Sequence, residues 1–467
     1  MNLETLDAIT WSIGTVLSII LKTYNHKIVD AILLFVLLIL STVLNNINNR
    51  PTFRQGAGNG IICGCLAIPS ALAALESNLF QISITISIST VLLFIITKSL
   101  TPTTDLKVCP WAPLIVTYGS SLLYQWEIKY LLQCFLAVSL SLFVLTVLIR
   151  FAPNSFTIGE FIFVSSLVSL PIPSAMNSTG ITKFSSVFII FGVICIALAL
   201  CVKRPIIVFV VLVPIIITLK DIPEVISYII QFNHLLLVGY CGIVCVIFIL
   251  ISMFWKGLKH FPQIIQRKFF HLMALLVFVP PVLINPSFLK LCISGAIFVF
   301  LFIESLRVTK FPFISSIINN YVADFIDERD GGELVLTHLF LLLGLGLPVL
   351  LADIDSPGSI RVKICGISVL AIGDAAASVI GVNFGKHKWP GSKKSYEGTV
   401  GAFVGTWLCM FIIQLFAKIE FSLLDLLSLA FPSLIAALDE AFTSQIDNLT
   451  LPFVMIPWIC FCSVFIH

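Results

Sequence analysis

The chain has 467 residues, of which 58% are hydrophobic and 11% are charged, and its mean hydropathy is +1.08. Soluble globular domains have roughly 45–50% apolar and about 25% charged residues, so this composition excludes that class. A formal net charge of +3 is too small to indicate a nucleic-acid partner. Long continuous apolar runs are typical of membrane-spanning helices, whereas barrel strands alternate. The sequence predicts an all-α, polytopic transmembrane helical bundle.

Residues 1–254 form a hydrophobic N-terminal transmembrane region in which no motif indicates chemistry. At about 20 residues per span, the whole chain has room for something like fifteen helices. The apolar runs of this region lie near 6–21, 28–47, 61–75, 79–97, 111–124, 128–149, 156–172, 184–202, 205–219 and 233–254.

Residues 255–467 form a second region in which charged residues are concentrated. From Lys256 onward the chain holds 15 of its 27 Lys and Arg residues and 15 of its 24 Asp and Glu residues. We therefore expect the catalytic part of the protein here. Its apolar runs lie near 271–284, 289–303, 334–351, 364–382, 398–417, 425–438 and 449–466, and its polar connectors at 255–270, 304–333, 383–397 and 439–448.

Two apolar runs separate each of these polar connectors from the next one. If every run crosses the membrane, all four connectors face the same side. They carry 11 Lys and Arg residues, against four in the connectors between them. The excess of basic residues in cytoplasmic loops therefore predicts that the shared side is cytosolic.

The densest polar segment runs from Gly373-Asp374 to Glu397-Gly398. Glycines let a backbone approach a ligand, lysines supply charge for phosphates, and the carboxylates of Asp374 and Glu397 are groups that Mg²⁺ binds. The spacing of the glycines and lysines in this segment is not that of a P-loop. Together these features favour a nucleoside triphosphate site over a loop that only meets anionic lipid head groups. The candidate nucleotide-binding residues are Gly373, Gly385, Lys386, His387, Lys388, Gly391, Ser392, Lys393, Lys394, Ser395 and Gly398.

Arg267-Lys268 precedes His271 at the start of an apolar run. Arg267 and His271 are four residues apart, so a helix places both on one face, where they could address a phosphate or an alcohol. The alternative is snorkelling of the two basic residues at the membrane interface.

Acidic residues occur in two further connectors. One contains Asp330 beside Arg329, and the other places Glu440 and Asp447 on one stripe of a helix. Carboxylates at a membrane interface are costly, which makes them candidates for function. The alternatives are a solvated loop with internal ion pairs and a capped helix end.

In this order, the motifs around His271, Glu304-Ser305-Leu306-Arg307, Asp330, Gly373 to Thr399, and Glu440 to Leu449 resemble the dolichol kinases, within the wider group of polyprenol and phytol kinases. The resemblance covers about residues 255–457. It implies phosphorylation of the terminal hydroxyl of dolichol or a polyprenol by CTP in the endoplasmic reticulum membrane, in support of protein glycosylation.

The resemblance also implies roles for individual residues. The lysines of the 383–397 connector, with Arg267 and Lys268, would bind the CTP phosphates. Asp374 and Glu397 would hold Mg²⁺. The catalytic candidates are Asp330 and Asp447, either of which would act on the alcohol, together with Glu440 and His271.

Two other functions remain open at this point. A cytidylyltransferase also uses CTP, but a closing His-Gly-Gly-x-x-Asp-Arg run typical of that group is absent from the sequence. A transporter would place charges among its spans near the midplane, whereas the charges here are clustered in connectors. The oligomeric state is not indicated by any pattern.

Overall fold

The computed structural model of the chain is helical. Within the residues that it describes, the only β-pairing is an isolated bridge between Lys388 and Ser395. The prediction of an all-α protein is confirmed. The described residues are 3–47, 60–100, 112–124, 127–152, 155–205, 209–210, 212–258, 263–322, 333–352, 359–417 and 422–465.

Most helices of the N-terminal region coincide with the predicted apolar runs. The run at 156–172 is instead divided into two helices, because Pro171 and Pro173 lack the N–H groups that would continue the first one. The helices are α1 (Leu3–Tyr24), α2 (Ile28–Ile47), α3 (Ile61–Ala74), α4 (Phe80–Leu100), α5 (Ala112–Tyr124), α6 (Ile128–Phe151), α7 (Ile158–Leu167), α8 (Ile172–Asn177), α9 (Gly180–Val202), α10 (Leu212–Ile217) and α11 (Ile222–Ile229).

Most C-terminal helices also follow the predicted runs, but a helix at Ile314–Val322 lies inside the predicted connector 304–333. A π-helix, Ser368–Gly373, separates two of the α-helices. The helix Gln263–Ile284 continues through Pro280-Pro281. The helices are α12 (Phe232–Leu258), α13 (Gln263–Ile284), α14 (Pro286–Val308), α15 (Ile314–Val322), α16 (Thr337–Leu351), α17 (Ser359–Ile367), the π-helix (Ser368–Gly373), α18 (Asp374–Phe384), α19 (Tyr396–Phe416), α20 (Leu423–Phe442) and α21 (Asp447–Phe465).

Ten helices in the described part of the chain are long and apolar enough to cross a membrane. This confirms a polytopic membrane protein, with fewer long spans than the fifteen for which the length leaves room. Several of the remaining helices are apolar but short, such as α3 with 14 residues and α16 with 15 residues.

The described helices form two compact units. The first unit comprises 1–10, 224–293 and 340–467, and the second comprises 11–223 and 294–339. Each unit therefore draws on both regions of the sequence. The functional division at residue 254 stays a prediction.

Close helix packing in the second unit depends on glycine. The backbone of Gly64 in α3 lies against that of Gly159 in α7, and a Cβ atom at either position would collide with backbone atoms of the facing segment. Inside a membrane, hydrophobic burial contributes little to the association of helices, and small residues stabilise it by allowing the helices to approach closely. α3 is buried along its whole length.

A buried polar network ties together α17, α19 and α20 in the first unit. Arg361 donates from Nε to Gln414 at 3.2 Å and from Nη1 to Ser428 at 3.2 Å, and it forms an ion pair with Asp425. Asp425 also completes a capping box with Ser422 at the start of α20. Because these partners satisfy the guanidinium group, Arg361 is buried inside α17 rather than exposed in a connector.

Candidate active site

The π-helix widens the chain immediately before Asp374, which begins α18. The Leu370 carbonyl in this segment accepts a hydrogen bond from Nδ1 of His271 at 2.7 Å. The same nitrogen lies 3.5 Å from a carboxylate oxygen of Asp374. Both side chains are buried. α13 thus supplies a fixed partner to the predicted metal ligand from a position about one hundred residues earlier, and π-segments are frequent at functional sites.

The predicted lysine-rich loop is a tight hairpin between α18 and α19. The main-chain N–H of Trp389 donates to the Lys394 carbonyl at 3.0 Å, and the main-chain N–H of Tyr396 donates to the His387 carbonyl at 2.9 Å. Gly391 lies at the turn with φ of 78°, a conformation that favours glycine. The segment between the two helices therefore has a defined backbone.

The hairpin is anchored on the C-terminal end of α20. The Trp389 ring packs on Tyr396, with centroids 3.9 Å apart, and contacts the edge of Phe442 at 4.8 Å. Ser392 Oγ donates to the Ala441 carbonyl at 3.2 Å. The hairpin therefore packs against the segment that opens the predicted tail motif.

The four lysines of the hairpin have different environments. Lys394 points inward, where its ammonium group pairs with the Glu440 carboxylate and also donates to the Glu440 carbonyl. Lys386, Lys388 and Lys393 are exposed. Lys394 therefore fixes the hairpin, while the other three are available to a ligand.

Lys394 is surrounded by three acidic residues from separate segments. Burial lowers its pKa, but Glu440, Asp447 and Asp374 together outweigh burial and raise the pKa above its ordinary value. The ammonium group is therefore charged at neutral pH. We call these four residues the Lys394 cluster. It brings together a predicted metal ligand, a predicted phosphate ligand and two predicted catalytic residues.

The sequence analysis did not single out Asp439, which lies next to the cluster. Asp439 is fully buried, and its carboxyl group interacts electrostatically with Asp7 of α1 and with Glu440. Two successive acidic residues between apolar runs were visible in the sequence. The interaction of Asp439 with Asp7 could not be seen in the sequence, because more than 400 residues separate the two.

The structure does not bring the two predicted metal ligands together. α18 and α19 are antiparallel, so that Gly373 packs against Thr406, nine residues along α19 from Glu397. At 1.5 Å per residue this separation is about 13 Å along the helix. Glu397 instead accepts hydrogen bonds from the His387 backbone at 3.2 Å and from His387 Nδ1 at 2.7 Å.

Three of the predicted nucleotide-binding glycines pack against protein atoms. A Cβ atom at Gly373 would collide with Thr406, one at Gly385 would meet Ser395 Oγ at 2.6 Å, and one at Gly398 would approach the Ala377 carbonyl to 2.9 Å. These glycines allow α18, α19 and the hairpin to pack closely. Ser395 also caps α19 by accepting a hydrogen bond from the Gly398 N–H at 3.1 Å. Contact between these residues and a nucleotide stays a prediction.

Some predicted residues lie outside the described part. Asp330 belongs to 323–332, which the structure does not describe. Arg267 and Lys268 lie in the opening turns of α13, but their side chains are also outside the described set. In the second unit, Arg307 pairs with Glu304 at 2.6 Å, so this motif contains an internal ion pair.

The chain is similar to curated dolichol kinases over part of its length. It is 32% identical over 209 residues to dolichol kinase of Homo sapiens, 31% over 198 residues to dolichol kinase sec59 of Schizosaccharomyces pombe, and 33% over 194 residues to dolichol kinase of Saccharomyces cerevisiae. The resemblance to dolichol kinases is confirmed. These alignments cover 41–42% of this chain and span 36–38% of the length of the relatives. No family model and no solved structure matches the chain.

Proposed function

We propose that the chain is a lipid kinase that transfers the γ-phosphoryl group of CTP to the terminal hydroxyl of dolichol or a polyprenol. The observation that carries this proposal is the Lys394 cluster, in which two predicted motifs meet beside an exposed lysine-rich hairpin. Similarity to proteins named dolichol kinase supports the acceptor. The resemblance noted in the sequence supports CTP as the donor.

In this proposal the hairpin binds the phosphates of CTP. Phosphoryl transfer depends mainly on positioning and on neutralising charge at the phosphates. Lys386, Lys388 and Lys393 provide exposed ammonium groups on a short backbone segment. Lys394 contributes indirectly, because its pair with Glu440 holds this segment against α20.

The donor set of the Lys394 cluster suits Mg²⁺. This ion is usually held by one or two carboxylates together with phosphate oxygens and waters, rather than by a cage of protein ligands. No group of three or more His, Cys, Asp or Glu side chains that could hold a metal ion occurs among the described residues. Asp374 and Asp447 would hold Mg²⁺, which would supply positive charge to the phosphates.

His271 would orient Asp374, since its Nδ1 lies near that carboxylate and is hydrogen-bonded to Leu370. An ammonium group stabilises the ionised form of nearby carboxylates. Lys394 therefore disfavours uptake of the alcohol proton by Asp447. Placement of the reaction at the cytosolic face of the endoplasmic reticulum membrane belongs to the same proposal, as CTP is water-soluble and the acceptor is a membrane lipid.

A donor and acceptor panel tests this function. The purified chain, reconstituted in vesicles with Mg²⁺, is given CTP or ATP together with dolichol, an unsaturated polyprenol, phytol or diacylglycerol. We expect a lipid monophosphate from dolichol or the polyprenol with CTP. Absence of a phosphorylated lipid with every pair, from protein that retains its helical circular dichroism, would contradict the proposal.

A further inference from the structure

Asp439, near the C-terminal end of α20, is buried against a second carboxyl group. Its side chain is fully buried, and no N–H group of the described residues donates to either of its carboxylate oxygens. The group that meets it is the carboxyl group of Asp7 in α1, which is also buried. Residues 1–10 belong to the same compact unit as 340–467, so this contact lies within the first unit. The first turns of α1 therefore reach the end of α20 that carries Glu440.

The only ammonium group that acts on Asp439 among the described residues is bonded elsewhere. Lys394 donates to the carboxylate and to the main-chain carbonyl of Glu440. It acts on Asp439 through charge alone, and the neighbouring Glu440 repels that carboxylate. α19, α21 and the π-helix also pack against α20. Asp447, which opens α21, and Asp374, which follows the π-helix, add further negative charge around Lys394.

Two carboxylates in contact are strongly destabilised if both are ionised. Each then only accepts hydrogen bonds, their charges repel, and a buried charge is costly unless it is paired. A single proton removes the repulsion and makes one group an O–H donor to the other, as in carboxyl pairs that titrate together. Asp439 lies in the predicted connector 439–448, outside the candidate spans. Burial, together with Asp7, raises the pKa of Asp439 well above its ordinary value.

We propose that Asp7 and Asp439 share one proton and that the resulting hydrogen bond holds α1 against α20. Asp439 directly precedes Glu440, so the pair also fixes the carboxylate that anchors Lys394 and the hairpin. Asp7 and Asp439 act as positioning residues through that anchor. Their effect on CTP rests on the proposed function, whereas the shared proton does not. The N-terminal region, in which no motif indicates chemistry, thus contributes to the nucleotide site.

Infrared spectroscopy detects the proton independently of activity. A protonated carboxyl group has a carbonyl stretching band that an ionised one lacks, and this band shifts in D₂O. We expect the band in the purified wild-type chain at about pH 7, where an ordinary aspartate is ionised. Asp439→Asn and Asp7→Asn should each weaken it, while Asp425→Asn should not, since Asp425 forms an ion pair with Arg361. A band that is absent from the wild type, or unchanged in both pair variants, would overturn the proposal.

The pH dependence of unfolding is a second test. The folded pair holds a proton that the unfolded chain releases above the ordinary pKa of aspartate, so rising pH favours unfolding until the folded pair ionises. Within this window the unfolding constant of the wild type should rise by up to about tenfold per pH unit relative to that of Asp439→Asn. The unfolding temperature of Asp439→Asn should therefore increase relative to the wild type between about pH 5 and about pH 7. A difference that stays constant would show that no proton is shared.

Kinetics test the positioning role. Asp7→Ala removes the partner of Asp439 and should raise KM for CTP about fivefold or more, the factor to which about 1 kcal/mol corresponds. The change in kcat should be smaller, and Asp7→Asn, which can donate a hydrogen bond, should restore KM. Thr10→Ala is the control, because this side chain bonds within α1. An unchanged KM in Asp7→Ala would refute the positioning role. An inactive wild type that shows the infrared band would refute only the proposed function.

Discussion

Lys394 and Glu440, 46 residues apart in the chain, form an ion pair that joins the hairpin to the end of α20. The Lys394 ammonium group also donates to the Glu440 main-chain carbonyl. The pair thus fixes the relative position of two polar connectors that the sequence treats as separate motifs. Its loss should affect both folding and catalysis.

Lys394→Met leaves the buried Glu440 carboxylate without its counter-charge. Removing one partner of a buried pair costs about 3–5 kcal/mol, and the partial exposure of Lys394 places the expected loss near the lower value. Adding Glu440→Leu should restore much of the stability but not the activity. Thermal unfolding in detergent, followed by tryptophan fluorescence, measures this, with Lys393→Met as the neutral control. Equal stability of Lys393→Met and Lys394→Met would contradict the role of the pair.

The pH dependence of this pair follows from the raised pKa of Lys394. A folded-state pKa above the unfolded value of 10.5 means that the pair stabilises the protein fully below that pH. The contribution is lost as the pH rises through the folded-state pKa. The difference in unfolding temperature between wild type and Lys394→Met should therefore stay constant between about pH 6 and about pH 9. A difference that falls within this interval would argue against the raised pKa.

The exposed lysines should act on nucleotide affinity. Lys388→Ala combined with Lys393→Ala is expected to raise KM for CTP at least about tenfold, because charged hydrogen bonds contribute about 1.5–3 kcal/mol each. The unfolding temperature should not change, since neither ammonium group has an ion-pair partner among the described residues. Lys129→Ala, an exposed lysine at the start of α6, is the matched control. An unchanged KM in the double variant would remove the hairpin from the phosphate site.

Asp374→Asn should lower kcat by about a hundredfold or more, because a bound metal supplies several kcal/mol of charge stabilisation at the phosphates. Asp447→Asn should shift the Mg²⁺ concentration needed for half-maximal rate upward. Asp425→Asn is the control, as this carboxylate pairs with Arg361 in a structural network. It should lower stability without changing the Mg²⁺ dependence. Wild-type activity of the Asp374 variant at limiting Mg²⁺ would exclude its metal role.

The sequence predicted the positions of the helices well because an apolar run must be long to cross a membrane. The predicted run 28–47 coincides with α2, for example. The sequence could not distinguish exposed Lys393 from paired Lys394, since their environments depend on which side of the hairpin each residue faces. The sequence analysis also predicted that Asp374 and Glu397 share a metal ion. The two residues lie near one another in the chain but are separated by the length of α18. Conversely, His271 lies beside Asp374 although about one hundred residues separate them.

The most direct test of the account follows each phosphate of CTP. The reconstituted chain is given dolichol, Mg²⁺ and CTP labelled at either the α- or the γ-phosphate. We predict that the γ-label appears in the lipid in an amount equal to the CDP released, and that Asp374→Asn slows formation of both products by about a hundredfold or more. Transfer of the α-label to a lipid with release of pyrophosphate would instead indicate a cytidylyltransferase and contradict the account.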